Sequence, residues 1–233
     1  MPPGRPPCNG VPLAYLVPFL RSLALVPLTL LPIINPLASA PIFAATAGTE
    51  RPVVRKFARR VAFNSWMLLV VSMLVGIYVL DFFGISLQIV RLGGGLVVAA
   101  MGWRALNSKG SDDVQQAVAH RTPEPTDTEI ARRSFFPLTF PLTTGPGSIA
   151  AAIALGVHMP REPIQYLLSA LVAVLGAAAT ALAIYLVYRN GGRLLAKLGD
   201  IGTIVTMRLF AFILLCIGFE IMWTGWAALN HIR

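Results

Sequence analysis

Charge is what this sequence has least of. Only 12% of its 233 residues are Asp, Glu, Lys or Arg, against roughly 25% in soluble domains, so the chain lacks the surface chemistry that water demands. Acids are scarcest, ten against nineteen Lys and Arg. The cationic surplus could suggest nucleic acid, but the cations collect between apolar runs and not along one basic face, which argues against that partner. Two cysteines, Cys8 and Cys216, give neither a disulfide framework nor a metal spacing. The three histidines (His120, His158, His231) are scattered, so no metal site is expected, and no residue pattern calls for a cofactor. There is no His-Glu-x-x-His and no Ser–His pair within the apolar runs, so an intramembrane enzyme is not expected either. What the sequence does have is apolar length, at 56% hydrophobic residues. This composition is that of an integral membrane protein.

A membrane span needs about 20 mostly apolar residues. Six stretches qualify: Ser22–Ala47, Val61–Leu80, Leu87–Trp103, Ser134–Val157, Pro163–Tyr188 and Leu209–Asn230. Residues 1–21 read as a flexible tail without a secretory signal, its last part lying in the interface or extending the first helix. Lys and Arg concentrate in the first, third and fifth loops (Arg51, Arg55, Lys56, Arg59, Arg60; Arg104, Lys109, Arg121, Arg132, Arg133; Arg189, Arg193, Lys197, Arg208). Cationic loops stay on the cytoplasmic side, which puts both termini outside, on the periplasmic side of a multi-pass protein. Trp103, Tyr185 and Tyr188 then end spans on the inner side, and Tyr78, Trp223 and Trp226 lie toward the outer one. Residues 107–133, with the run Thr122-Pro-Glu-Pro-Thr, read as a cytoplasmic linker between halves 22–106 and 134–233.

A proline spacing organises those halves. Pro32, Pro36 and Pro41 recur as Pro137, Pro141 and Pro146, each 105 positions on, and Ser39 recurs as Thr144. Each half holds three spans, so the second copy enters the membrane from the opposite side. The expected fold is therefore all-α, with six transmembrane helices in two inverted-topology three-helix repeats. One proline kinks a membrane helix. Three within ten residues, each costing about 3 kcal/mol in a helix interior, argue for helices 1 and 4 broken near the midplane. Ser22–Ala47 as one helix would be about 39 Å long at ~1.5 Å per residue, against a hydrocarbon core of about 30 Å.

At each break the residues are those that start helices. Asn35 and Ser39 accompany Pro36 and Pro41; Thr143 and Thr144 precede Gly145-Pro146-Gly147-Ser148. Asn, Ser and Thr cap helix N-termini and proline suits the first turn, so each break should expose unpaired N–H groups at a positive dipole end. Gly145 and Gly147 would let a backbone approach a ligand closely. The expected site is a small donor-rich cavity for a carboxylate or other small anion, bound by Asn35, Ser39, Thr143, Thr144, Gly145, Gly147 and Ser148. For Asn35 and the hydroxyl residues, capping without solute contact is the alternative.

The order and spacing of Ile34-Asn35-Pro36-Leu37 with Pro41, Phe83-Gly84-Ile85-Ser86, Arg91-Leu-Gly-Gly-Gly95 and Pro141-Leu-Thr-Thr-Gly-Pro-Gly-Ser148 resemble the MarC family of six-span bacterial inner-membrane proteins, from about Phe19 to Gly225. The resemblance implies a transporter of small solutes, with neutral amino acids the leading candidates. In the last span the family pattern leads one to expect a glycine soon after Arg-Leu and an amide at position 220. This chain has Phe210-Ala211-Phe212 and Glu220 instead.

Glu220 is the one acid deep inside a span, where a charge costs about 2.5–3.5 kcal/mol. It is a coupling candidate for a proton-linked cycle, or else a structural acid; for the transporter as a whole, proton or sodium coupling is the expectation. Arg91 and Arg208 read as snorkelling cations. Gly93–Gly95 and the series Ser169, Ala173, Ala177, Ala181 read as smooth helix-packing faces. A non-transporting membrane factor, in assembly or stress, is the alternative function; it gives no reason for duplicated breaks. The lipid bilayer is the expected surrounding, and a homo-oligomer remains open.

Overall fold

The computed structural model describes residues 11–107, 125–157 and 163–230, and among these there is no strand. Helices α1 (Val11–Ile34), α2 (Pro36–Ala47), α3 (Arg51–Phe82) and α4 (Leu87–Asn107) are followed by α5 (Asp127–Arg133), a wide-turned segment Ser134–Thr143, α6 (Pro146–Val157) and the long α7 (Pro163–Leu229). α7 is interrupted at Gly199, whose φ of 66° and ψ of 178° no helix accommodates and which glycine adopts without steric penalty. Its two arms are α7a (Gln165–Arg193) and α7b (Ile201–Leu229). Four helices (α3, α4, α7a, α7b) are long and apolar enough to cross a bilayer; the bent pairs α1–α2 and Ser134–Thr143–α6 raise the number to six if each is one span.

Several expected loops are helical. Residues 11–21 continue α1. The cations Arg51 to Arg60 form the first turns of α3, with Pro52 opening it; unbranched Arg and Lys favour helix. The end of the expected linker is α5, capped by Thr126, whose Oγ1 accepts from Glu129 N at 3.3 Å. Lys56 of α3 pairs with Asp127 there, and Arg60 Nη1 donates to Asp127 O at 3.2 Å, so α5 is tied to the cationic end of α3. The expected fifth loop, 189–208, is helix on both sides of Gly199. The tail through residue 10, the linker at 108–124 and His158 lie outside the described residues.

Between α3 and α4 the Phe83-Gly84-Ile85-Ser86 motif makes a tight reversal. Gly84 takes φ 67°, Ile85 N reaches back to Leu80 O at 2.9 Å and Ser86 Oγ accepts from Ile89 N at 3.4 Å. A left-handed glycine closes one helix and a serine caps the next.

Buried residues run in four-residue steps along each inner face: Val26, Leu30, Ile34 on α1; Phe57, Val61, Ser65, Leu69, Met73 on α3; Ala173, Ala177, Ala181 on α7a. This is the apolar stripe of a packed helix. The expected small-residue ridge on α7a is indeed a packing face: Ala173 and Ala177 are fully buried, a Cβ on Gly176 would meet Val26 Cβ of α1 at 2.6 Å, and Trp66 Nε1 of α3 donates to Val174 O at 3.2 Å. α7b packs on α4, where a Cβ on Gly102 would lie 2.5 Å from Leu215 N. α6 packs on α3 and α4, through Gly156 against Met73 and Gly147 against Val98.

Candidate functional site

α1 ends and α2 begins at a single residue, Asn35. Its φ of 45° and ψ of 63° are left-handed, a conformation that asparagine tolerates better than most residues. It closes α1 through Asn35 N to Leu31 O at 2.8 Å and opens α2 by accepting from Ala38 N on Oδ1 at 3.3 Å. Pro36 takes the first helical position, where its missing N–H costs nothing. The two helices meet at a 58° bend. Pro32 and Pro41 do not break the chain; they lie within α1 and α2.

The second break is longer. Phe136 and Phe140 adopt extended φ,ψ of −120°,124° and −117°,127°, as residues before proline must when the α region is closed to them by Pro137 and Pro141. The turns between them widen to five residues. Thr144 N bonds Thr139 O at 2.7 Å, Thr139 Oγ1 donates to Ser134 O at 2.6 Å and Thr143 Oγ1 donates to Leu138 O at 2.6 Å. Each threonine hydroxyl thus reaches the carbonyl five residues back, across one widened turn. Neither Thr143 nor Thr144 caps α6. That position falls to Gly145, whose carbonyl accepts from Ile149 N at 3.1 Å and Ser148 Oγ at 2.8 Å. Pro146 then starts α6, and the helix leaves at 71°.

The two breaks converge on a residue absent from the expected site. Tyr188, near the C-terminal end of α7a, is 1% exposed. Its hydroxyl lies 2.9 Å from Ser39 Oγ and 2.7 Å from Thr143 Oγ1, and its ring stacks on Phe43 at 4.3 Å. It is therefore a buried bridge, not the interfacial anchor that its place at a span end suggested. A signal did exist: continuing the Ala173, Ala177, Ala181 ridge by one helical repeat leads to Ile184 and Tyr188.

Three hydroxyls here serve four contacts. Ser39 Oγ is also 3.2 Å from Asn35 O, yet Ser39, Thr143 and Tyr188 bring one proton each. The longest contact is the one that the count leaves unmade, and Asn35 O already accepts from Ala38 N and Ser39 N. The network then runs in one direction, Ser39 to Tyr188 to Thr143 to Leu138 O.

Of the remaining expected site residues, Thr144 is fully buried and its Oγ1 has no hydrogen-bond partner among the described residues. Gly145 and Gly147 do permit close approach, but to the chain itself: a Cβ on Gly145 would meet Pro141 O at 2.8 Å, and one on Gly147 would strike Val98. Among the described residues, no side chain caps the first-turn amides of α6. Glu220 stands apart on an exposed face of α7b.

The family model described as MarC family integral membrane protein matches residues 20–229. A UPF0056 membrane protein of Pyrococcus abyssi is 27% identical over 207 residues, 88% of this chain and 94% of that protein. The UPF0056 inner membrane proteins MarC of Salmonella typhimurium and of Escherichia coli are each 28% identical over 209 residues, 84% of this chain and 90% of theirs. No solved structure matches the chain.

Proposed function

The chain belongs to the MarC family of integral membrane proteins, and from that footing we propose that it is a secondary transporter of small solutes, with carboxylate-bearing neutral amino acids the leading class. It resides in the inner membrane, as the named Salmonella and Escherichia relatives do, with both termini on the periplasmic side. It works without catalysis or cofactor, by alternating access around the two breaks, each a transmembrane helix interrupted near the midplane.

One observation carries the reading: the hydroxyl of Tyr188 joins Ser39 at the first break to Thr143 at the second. Two separate interruptions of the chain thereby share one buried polar point, as a midplane site between repeats requires. The helix contacts favour inverted repeats. If α1–α2, α3 and α4 are spans one to three and Ser134–Thr143–α6, α7a and α7b spans four to six, the contact of span one with span five through Val26 and Gly176 has its counterpart in span four with span two through Gly156 and Met73. The contact of spans three and six is its own counterpart.

In this reading Tyr188 is a closed latch. Its ring fills the space between the breaks, and a solute takes that place when it swings away. The carboxylate then meets the Thr144 hydroxyl and the Gly147 and Ser148 amides, a helix N-terminus suited to an anion. Coupling to a proton or sodium gradient sets the direction.

Reconstitution of the purified protein into liposomes tests this. Counterflow of labelled neutral amino acids is expected for the wild type and is expected to fall in Asn35→Ala. No exchange of any small solute by the wild type would overturn the proposal in favour of a non-transporting membrane factor.

A further inference from the structure

The outer face of α7b is exposed along its length. Leu209, Phe212, Cys216, Phe219, Trp223 and Trp226 recur on it at helical spacing, while the opposite side, with Ala211 and Gly218, packs on α4. Lipid suits such a stripe, except at one residue. Glu220 is exposed on this same face, near the middle of the charge-free run 209–230, and makes no hydrogen bond or ion pair among the described residues. Eleven residues from Leu209 at ~1.5 Å each place it about 16 Å along the run, too deep for a short acidic side chain to reach either interface. Polar groups at that depth face protein or water, not lipid.

We infer that this stripe is an interface between two copies of the chain, with Glu220 facing its counterpart. Copies inserted in the same orientation hold Glu220 at the same depth, so parallel contact of two α7b stripes brings the acids together on the two-fold axis. A carboxyl that carries its proton both donates and accepts, and so satisfies a second carboxyl directly. The neighbouring polar groups suit the pairing. Thr224 spends its proton on Ile221 O at 2.8 Å, leaving its oxygen to accept, and Cys216 lies one turn to the other side. A solvating lipid headgroup could not reach this depth, and a cation-bearing partner would have to bury its own charge there. A second copy needs neither.

Cys216 supplies the probe. The full chain carrying Cys8→Ser is oxidised in native membranes, and a disulfide-linked dimer is expected at Cys216, lost in Cys216→Ala. The yield should exceed by about tenfold that of a collision control with Cys216→Ala and Leu171→Cys, a cysteine on the exposed face of α7a. Glu220→Leu should lower the dimer yield about tenfold, whereas Glu220→Gln, whose amide also donates and accepts, should retain it. Glu220→Leu adds no polar group to lipid and gives a folded control by thermal melting in detergent. Yields at Cys216 no higher than at Leu171→Cys, equal yields for Glu220→Leu and wild type, or cross-linking to a chain of different mass would each overturn the inference.

Discussion

The hydroxyl of Tyr188 lies 2.7 Å from that of Thr143, a residue 45 positions earlier on a different element. Its other neighbour, Ser39, is 149 positions away. No local rule brings these three together; the packing of α7a against α1, α2 and α3 does. Because the network has one proton fewer than it has contacts, it can be redrawn without stranding a backbone group. Release of Tyr188 lets Ser39 return its proton to Asn35 O, and Thr143 already donates to Leu138 O. In the proposed cycle, a polar bridge with this property holds the closed arrangement and leaves no backbone group unpaired when it opens.

Removing the hydroxyl alone therefore separates holding from filling. Tyr188→Phe keeps the stack on Phe43 and loses two interhelical contacts, so stability should fall by only about 0.6–2 kcal/mol. Tyr188→Ala also empties a buried aromatic site and should cost about 3–5 kcal/mol. Thermal or chaotrope unfolding in detergent reads both. A double-mutant cycle of Tyr188→Phe with Ser39→Ala should return a coupling near 0.6 kcal/mol; zero coupling would mean that the Ser39 contact is not made. In liposomes, Tyr188→Phe should alter the counterflow rate while leaving the protein folded.

Asn35 does two jobs that substitutions can divide. Its positive φ costs an alanine roughly 1–2 kcal/mol, and loss of the cap costs about 1 kcal/mol more. Asn35→Ala should therefore be clearly destabilised. Asn35→Gly accepts the conformation freely and gives up only a few tenths of a kcal/mol as a cap. If the side chain also contacts the solute, Asn35→Gly will melt near wild type but show reduced counterflow. Wild-type counterflow in Asn35→Gly would restrict this residue to capping.

The glycine triplet on α4 gives a contrast within three adjacent residues. A Cβ on Gly93 meets nothing within 4 Å, whereas one on Gly95 meets Met222 N at 2.5 Å and Gly218 O at 2.7 Å on α7b. Gly93→Ala should be neutral or gain up to about 1 kcal/mol from helix propensity. Gly95→Ala pushes two backbones apart and should lose about 1–3 kcal/mol. Parallel melting curves of the two variants check this.

What could be read in advance follows from the range of the forces involved. Asn35-Pro36 and Pro146-Gly147 announce helix starts because capping and proline geometry are settled within four residues. The four long apolar helices α3, α4, α7a and α7b were legible because bilayer thickness imposes a length. The extent of α7 was not: Tyr188 looked like a span end because Arg189 follows it, yet the helix continues to Gly199. The proline repeat was real in spacing but not in conformation. Pro36 opens a helix while its counterpart Pro141 follows an extended phenylalanine, and the Thr139 and Thr143 hydroxyls that make the wide turns tolerable carry no pattern distinct from ordinary threonine. Glu220 was recognised as an anomaly by depth, but α7b is apolar all round, and such a helix gives no periodicity from which to tell its inner face from its outer one.

Thr144 offers the sharpest separation of stability from function. Its hydroxyl is buried and has no hydrogen-bond partner among the described residues. An unmade hydrogen bond of this kind costs a folded protein about 1–3 kcal/mol, so a residue kept only for structure should improve when the hydroxyl goes. Thr144→Val preserves shape and removes the oxygen. It should melt at or above the wild-type temperature, by about as much as the orphaned group had cost. If the hydroxyl waits for a solute carboxylate beside the first turn of α6, the same variant should lose counterflow about tenfold or more, since one hydrogen bond to a charged group contributes roughly 1.5–3 kcal/mol. Thr144→Ser restores the oxygen and should restore exchange. A stabilised Thr144→Val that exchanges solute like wild type would remove this hydroxyl from the site and leave the α6 amides to bind alone.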